Sequence, residues 1–290
     1  MRDNRNIGEK AFDAVNVVIM AVLLVVTFYP LYHVLMASFS DPDRVVGHSG
    51  LLLYPLSPNL EGYEAVFTYK MITSSFGNTL FIIVVALTLN MLLTAFAAYF
   101  LSRKDIMLRG VVMKLIVVTM FFSGGLIPFY LTVNGLGLSN SLFSVILPFA
   151  VNTFNLIIMR TSFSEIPDSL IEAAEMEGAN DFTILFRIVI PVSKATMAVI
   201  ALYYLVQHWN AWFYASIFID KRELLPFQVI LREILIQNST DNMKNAGDSE
   251  NMYEVIKYAV IVVGTVPILI VYPFLQKYFV KGVMIGSVKG

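Results

Sequence analysis

Two polar rows run through residues 195–218 of an otherwise apolar stretch. Tyr203, Gln207, Asn210 and Tyr214 recur at spacings of four, three and four, and Tyr204, His208 and Trp212 form a second row at spacing four. On one helix these groups would share adjoining faces, with Trp209 between them. Phenols and amides facing lipid are costly, so such faces hydrogen-bond neighbouring helices, form an interfacial aromatic belt, or line a water-filled path. The third reading has a chemistry: aromatic faces stack on the C–H faces of sugar rings while amides bond the hydroxyls. Asn152 with Asn155, and Asn90 with Thr94, are further candidates, either as contacts between helices or on the path. A second concentration of chemistry lies at Ser164–Lys194, where Glu165, Asp168, Glu172, Glu175, Glu177 and Asp181 gather. These carboxylates suit basic groups on a partner, or a solvated loop.

Other chemistries are excluded by what is missing. There are 0 cysteines, and His33, His48 and His208 lie far apart, so no thiolate site, cysteine nucleophile or ligand-spaced histidine pair exists and no metal site is expected. No G-x-x-x-x-G-K-[ST] phosphate loop occurs, so the chain does not hydrolyse ATP by that route. A net charge of -1 gives no footprint for nucleic acid.

The elements that must position these residues are membrane spans. With 290 residues, 57% hydrophobic and 14% charged, the chain is too apolar for a soluble domain of its size and reads as an all-α polytopic membrane protein. Six spans are expected. The first runs from Ala14 to about Ser38, kinked at Pro30, and is too long for a signal-peptide core of roughly 7–15 residues. The second runs from about Asn78 to Leu101. Residues 115–159 carry no charge and fit a hairpin of two spans of ~20 residues. The fifth runs from about Ala195 to Phe218 and the sixth from about Tyr258 to Leu275. The organisation is then a cytoplasmic N-terminus (1–13), a six-span domain (14–276) with external loops 41–76 and 220–257, a cytoplasmic loop 164–194, and a cytoplasmic tail (277–290). Leu224 to Ile236 forms a short helix within the second external loop.

Charge orients the set. Arg2, Arg5, Lys10, Arg103, Lys104, Arg109, Lys114, Arg160, Arg187, Lys194, Lys277, Lys281 and Lys289 fall on the side of the termini, the majority of the 20 basic residues. By the positive-inside rule, the termini and the acidic loop are cytoplasmic. Within that loop, Pro167 suits a first helical turn, Gly178 ends the helix in a left-handed conformation, and Asp181 caps a second helix starting at Phe182.

Glu172-Ala173-Ala174, Gly178 four residues on, and Ile190-Pro191 resemble the EAA loop of permease subunits in binding-protein-dependent ABC importers. That resemblance implies a type I ABC importer fold in which Glu172, Ala173, Ala174, Glu177, Gly178 and Pro191 form a cytoplasmic coupling helix and its flank, docked in a groove on an ATPase subunit. His208-Trp209-Asn210-Ala211-Trp212 resembles the Trp-Asn segment of carbohydrate-class permeases, with Ala211 where many have Glu. It implies a substrate path over Asn152, Asn155, Tyr203, Gln207, His208, Trp209, Asn210, Trp212 and Tyr214. Phe279-Val280-Lys281-Gly282 resembles the start of tails that insert between the ATPase subunits, which implies contacts at Gly282 and Gly286. Phe122-Ser123-Gly124-Gly125-Leu126-Ile127-Pro128 resembles the oligosaccharide branch. The implied partners are a second, different permease, two ATPase subunits holding ATP and Mg, an extracytoplasmic solute-binding protein and membrane lipid, in a bacterial cytoplasmic membrane. This chain itself would bind no cofactor and catalyse nothing. The alternatives are an ABC permease for another solute, a gradient-driven transporter or channel, for which mid-membrane ionisable groups are almost absent, and an intramembrane enzyme, for which no nucleophile and base are found.

Overall fold

The computed structural model describes residues 7–236 and 250–287, and all regular elements among them are helical. In chain order they are α1 (Ile7–Ser38), α2 (Pro42–Val46), α3 (Glu61–Thr68), α4 (Lys70–Ser102), α5 (Arg109–Thr119), α6 (Leu126–Gly135), α7 (Thr153–Ser164), α8 (Asp168–Met176), α9 (Asp181–Ile184), α10 (Ile190–Val192), α11 (Lys194–Trp209), α12 (Trp212–Phe218), α13 (Phe227–Ile236) and α14 (Glu250–Ser287). A π-helical turn, Leu185–Val189, joins α9 to α10, and 3-10 turns at Leu142–Val145 and Leu147–Phe149 precede α7.

Among the described residues, three helices are long and apolar enough to cross a membrane by themselves: Gly8–Ser38, Lys70–Ser102 and Tyr253–Pro273. Two bent pairs raise the number to five: Leu142–Phe149 with Thr153–Ser164 at 46°, and Asp181–Val192 with Lys194–Trp209 at 87°. α1 runs unbroken through Pro30. The external loop expected over 41–76 is replaced in part by helix, since α2 and α3 lie inside it and α4 starts at Lys70. The short helix expected from Leu224 to Ile236 is present as α13, while residues 237–249 of the second expected loop, Arg2, Arg5, Lys289 and Gly290 lie outside the described residues.

Two expectations are corrected. The hairpin over 115–159 is built from five short pieces, α5, α6, the two 3-10 turns and α7, rather than two continuous spans. Gly125 takes φ +81, Pro128 stands in the first turn of α6, Pro148 opens the second 3-10 turn, and the Asn152 side chain caps α7 by accepting from Asn155 N–H at 3.1 Å. The fifth span is also broken. α11 stops at Trp209: Asn210 N–H still reaches Val206 O at 3.1 Å, alongside its own side-chain amide at 2.9 Å, and Ala211 (φ -78, ψ 58) then makes an inverse γ-turn closed by Trp212 N–H to Asn210 O at 2.9 Å.

By contacts the chain divides into two compact units, Met1–Lys70 with Glu233–Thr265, and Met71–Arg232 with Val266–Gly290. In the first, residues 39–60 are tied to the end of α1: Tyr29 Oη accepts from Leu52 N–H at 2.9 Å, Tyr32 donates to Leu53 O at 2.7 Å, and Ser38 Oγ meets Tyr63 Oη at 2.7 Å. Gly62 lets α3 lie against α14, where a Cβ would stand 2.8 Å from Val255 Cγ1. In the second unit, Leu101, Met159, Phe163, Ile184, Leu185 and Tyr204 belong to one buried cluster built from α4, α7, α9 and α11.

Candidate functional site

The second unit has two chemically distinct ends. At one, α4 terminates in Ser102, and its last carbonyls are bonded by guanidinium groups: Arg109 Nη1 reaches Ser102 O at 3.3 Å and Arg103 O at 3.0 Å, and Arg160 Nε reaches Leu101 O at 3.2 Å. The loop after α4 then grips α8. Arg103 Nη2 donates to Glu175 Oε1 at 2.6 Å and its Nε to Asp105 Oδ1 at 3.2 Å, while Lys104 Nζ donates to Asp168 Oδ2 at 2.5 Å. Burial works against the Arg103 charge, but the bonds from Glu175 and Asp105 outweigh it and raise the guanidinium's hold on its proton. A cavity of about 310 Å3 lies between the loop and α8, bordered by Asp168, Glu172 and Glu175.

α8 ends in paired closing bonds. Gly178 N–H reaches Glu175 O at 2.9 Å and Ala179 N–H reaches Ala174 O at 3.0 Å, with Gly178 at φ +81. The next helix is capped by Asn180, whose Oδ1 accepts from Thr183 N–H at 2.8 Å, and not by Asp181. Asp181 instead accepts from Tyr99 Oη at 2.9 Å. Ala174 packs inside this chain's own core, while Glu172, Ala173, Glu177, Gly178 and Pro191 are exposed. The outward set expected for a partner therefore loses Ala174, and Glu175 is bonded internally. The clamp residues Arg103 and Lys104 were not among the expected site residues. Their signal was present as the opposite charge of Arg103-Lys104 and the acidic stretch.

At the other end, the Asn140 side chain gathers the chain segment after α12: Nδ2 donates to Asp220 Oδ2 at 3.2 Å and Oδ1 accepts from Asp220 N–H at 2.6 Å. Asn78 Nδ2 donates to Glu223 O at 2.8 Å. Between the two ends, α11 splits its polar residues by face. Tyr204 is fully buried, sharing a bond with Thr94 at 2.7 Å and accepting from Asn152 N–H at 3.0 Å, and His208 Nε2 pairs with Asn90 Nδ2 at 2.9 Å. Trp209 and Asn155 are buried as well. Tyr203 and Asn210 are exposed, and Gln207, Trp212, Tyr214 and Asn152 are half-buried. The expected single row through Tyr214 is interrupted, since Trp212 and Tyr214 belong to α12. Tyr214 packs instead against Phe149, tilted at 4.9 Å, and Phe129, edge-on at 5.4 Å. Arg232 lies with its guanidinium 3.6 Å over the Trp212 ring.

Residues 71–285 match the family described as binding-protein-dependent transport system inner membrane component. The chain belongs to that family. The permease is 40% identical over 284 residues to the polygalacturonan/rhamnogalacturonan transport system permease protein YtcP of Bacillus subtilis (strain 168), spanning 97% of this chain and 99% of the relative. It is 37% identical over 286 residues to Protein LplC of the same organism, spanning 97% and 96%. Among solved structures, a bacterial ABC transporter involved in the import of the acidic polysaccharide alginate matches with a TM-score of 0.90 and 33% identity, over 95% of the permease and 99% of that chain. A chain of the alginate transporter in complex with an alginate pentasaccharide-bound periplasmic protein shares the fold, at 14% identity and a TM-score of 0.57. The permease is thus an all-helical, multi-pass membrane transport subunit.

Proposed function

We propose that this permease forms half of the translocation path of an ATP-driven importer for an acidic oligosaccharide. A solute-binding protein delivers the sugar, a second and different permease completes the path, and two ATPase subunits carry ATP and Mg while this chain holds no cofactor. The observation that carries this reading is the chain order of the second unit: the clamped helix α8 turns at Gly178 into the run α9 to α10, which meets α11 at the 87° bend at Ser193, and α11 bears Tyr203 and Gln207 and ends at Asn210. Only the short corner at 177–180 separates α8 from that helical run, so motion of α8 reaches the path residues through a tight link. ATP and the binding protein must favour the same state of that element for either to shift it.

On this reading both termini and α8 face the cytoplasm of a bacterial membrane, and six spans cross it. Glu172, Ala173, Glu177, Gly178 and Pro191 are the surface offered to the ATPase. Gly282 and Gly286 lie on the helical backbone of α14, which continues the tail towards it. α1, whose apolar window has 0% of its residues buried, is covered by lipid and the second permease. The acidic substrate class is supported by the polyuronide named for YtcP, the alginate named for the structural relative, and Arg232. That guanidinium lies 3.6 Å over the Trp212 ring in an exposed position, where a carboxylate of the substrate could pair with it. The experiment is co-expression with the neighbouring permease and ATPase, gentle solubilisation, and uptake in vesicles. A stoichiometric complex importing oligogalacturonate, and losing import in Arg232→Gln more than it loses import of a neutral oligosaccharide, is expected. A chain that purifies alone and ignores those subunits overturns it.

A further inference from the structure

One open groove at the Arg103 end belongs neither to the clamp nor to the path. Arg109, Lys114 and Arg160 border it, and Met113, Val117 and Val118 form its wall, in a space of about 670 Å3. Gly110, Met113, Lys114 and Val117 recur at spacings of three, one and three, so one face of α5 supplies most of it, and Arg160 comes from α7.

The charge in this groove is not neutralised from within. Arg109 and Arg160 bond backbone carbonyls of Leu101, Ser102 and Arg103, which are uncharged acceptors, and Lys114 is exposed. Among the described residues, no carboxylate lies within ion-pair distance of any of the three, and Asp105, in the same loop, is bonded to Arg103. The occupant is therefore anionic. It also carries hydrocarbon, because the wall beyond the cations offers only Met113 and valines and no group that bonds a sugar hydroxyl. Cations at the end of an apolar face suit an amphiphile at a membrane surface.

We propose that this groove binds an anionic phospholipid, with its phosphate among Arg109, Lys114 and Arg160 and the start of an acyl chain along Met113 and Val117. Since the two arginines hold the end of α4, from which Arg103 and Lys104 reach α8, the lipid braces the helix that meets the ATPase. The assignment rests on the membrane-spanning reading but not on the sugar.

The test is native mass spectrometry of the full chain, co-purified with its neighbouring subunits and equilibrated with phosphatidylglycerol and phosphatidylcholine. The readout is lipid retained, scored whether or not uptake is restored, so failure here is separable from failure of the importer reading. Retention of phosphatidylglycerol over phosphatidylcholine is expected, falling at least about fivefold in Lys114→Gln and persisting in Lys114→Arg. Lys114 is exposed, so the variant keeps the fold, and Arg160→Gln serves as a second site. Equal retention in Lys114→Gln and the parent chain, or equal retention of both lipids, overturns the proposal. Displacement by millimolar inorganic phosphate would reassign the groove to free anions, and displacement by oligogalacturonate would reassign it to the path; either also overturns it.

Discussion

Arg103 ties the loop after α4 to α8 and to its own acidic neighbour at once. Its guanidinium lies 5.9 Å from the Tyr99 ring centre, bonds Glu175 and Asp105, and is only 15% exposed. Removing it leaves Glu175 without its partner and leaves Lys104 to Asp168 as the remaining ion pair between the loop after α4 and α8. A hydrogen bond to a charged group is worth roughly 1.5–3 kcal/mol. Arg103→Gln is therefore expected to lower uptake several-fold while the complex is still recovered. Arg103→Lys, which keeps the charge but not the fork, is expected to fall between the two. Unchanged uptake in Arg103→Gln would show that α8 does not need the clamp.

Gly178 separates two physical causes at the next residue along. A Cβ built there meets nothing within 4 Å, so a larger side chain is not excluded by this chain's own packing. The constraint is the backbone: φ of +81 costs an L-residue roughly 1–2 kcal/mol, less for Asn than for a β-branched residue. Gly178→Asn is expected to retain most uptake and Gly178→Val to lose it. Equal loss in both would mean that the side chain itself obstructs a docked partner.

At the scale of elements, the packing of α3 on α14 is set by one missing side chain. Gly62→Ala places a Cβ 2.8 Å from Val255 Cγ1, closer than real Cβ contacts allow, and 3.4 Å from Val255 O. Overpacking of this kind costs about 1–3 kcal/mol. A lower apparent melting temperature in detergent is expected for Gly62→Ala, with partial recovery in the double variant Gly62→Ala/Val255→Ala because the two sites touch. Additive losses would place the strain elsewhere.

The same scale shows which elements could be read from the chain. α4 was legible because 33 residues with no proline or glycine pair leave an apolar run one way to fold in a membrane. The end of α8 was legible because Gly178 is the residue a left-handed corner needs. The break after Trp209 was not, since neither Pro nor Gly marks it and the polar period runs on through Tyr214. It is made at Ala211, whose turn closes Trp212 N–H onto Asn210 O instead of continuing the helical ladder. The cap of α9 falls between adjacent residues of equal capping strength, Asn180 and Asp181. Tyr99, which is remote in sequence, draws Asp181 away and leaves the cap to Asn180. Ala174 was placed outward as part of a motif, whereas its spacing of three from the half-buried Ile171 sets it on the inner face of α8.

At the scale of the whole molecule, the open question is parity. An even number of crossings returns both termini to one side, and the short helices α5 and α6 decide it. Neither spans a membrane alone: 11 and 10 residues give about 16 and 15 Å, against a hydrocarbon core of about 30 Å. Their endpoints argue that together they make one crossing. The chain enters α5 just after Arg103 and Lys104, which hold α8, and leaves α6 just before Asn140, which holds Asp220 beyond α12. α4 joins the same two ends, running from Asn78, bonded to Glu223 O, to Ser102. With 0 cysteines in the chain, single substitutions test this directly. Gly8→Cys, Leu51→Cys, Leu136→Cys and Ser169→Cys all fall at exposed positions. In intact cells, a membrane-impermeant maleimide added outside is expected to label Leu51→Cys and Leu136→Cys and to spare Gly8→Cys and Ser169→Cys until the membrane is opened. If α5 and α6 instead dip into the membrane and return, Leu136→Cys is protected and Ser169→Cys is labelled. That pattern would put α8 on the outer face, beyond reach of any ATPase, and would overturn the coupling role with the six-span count.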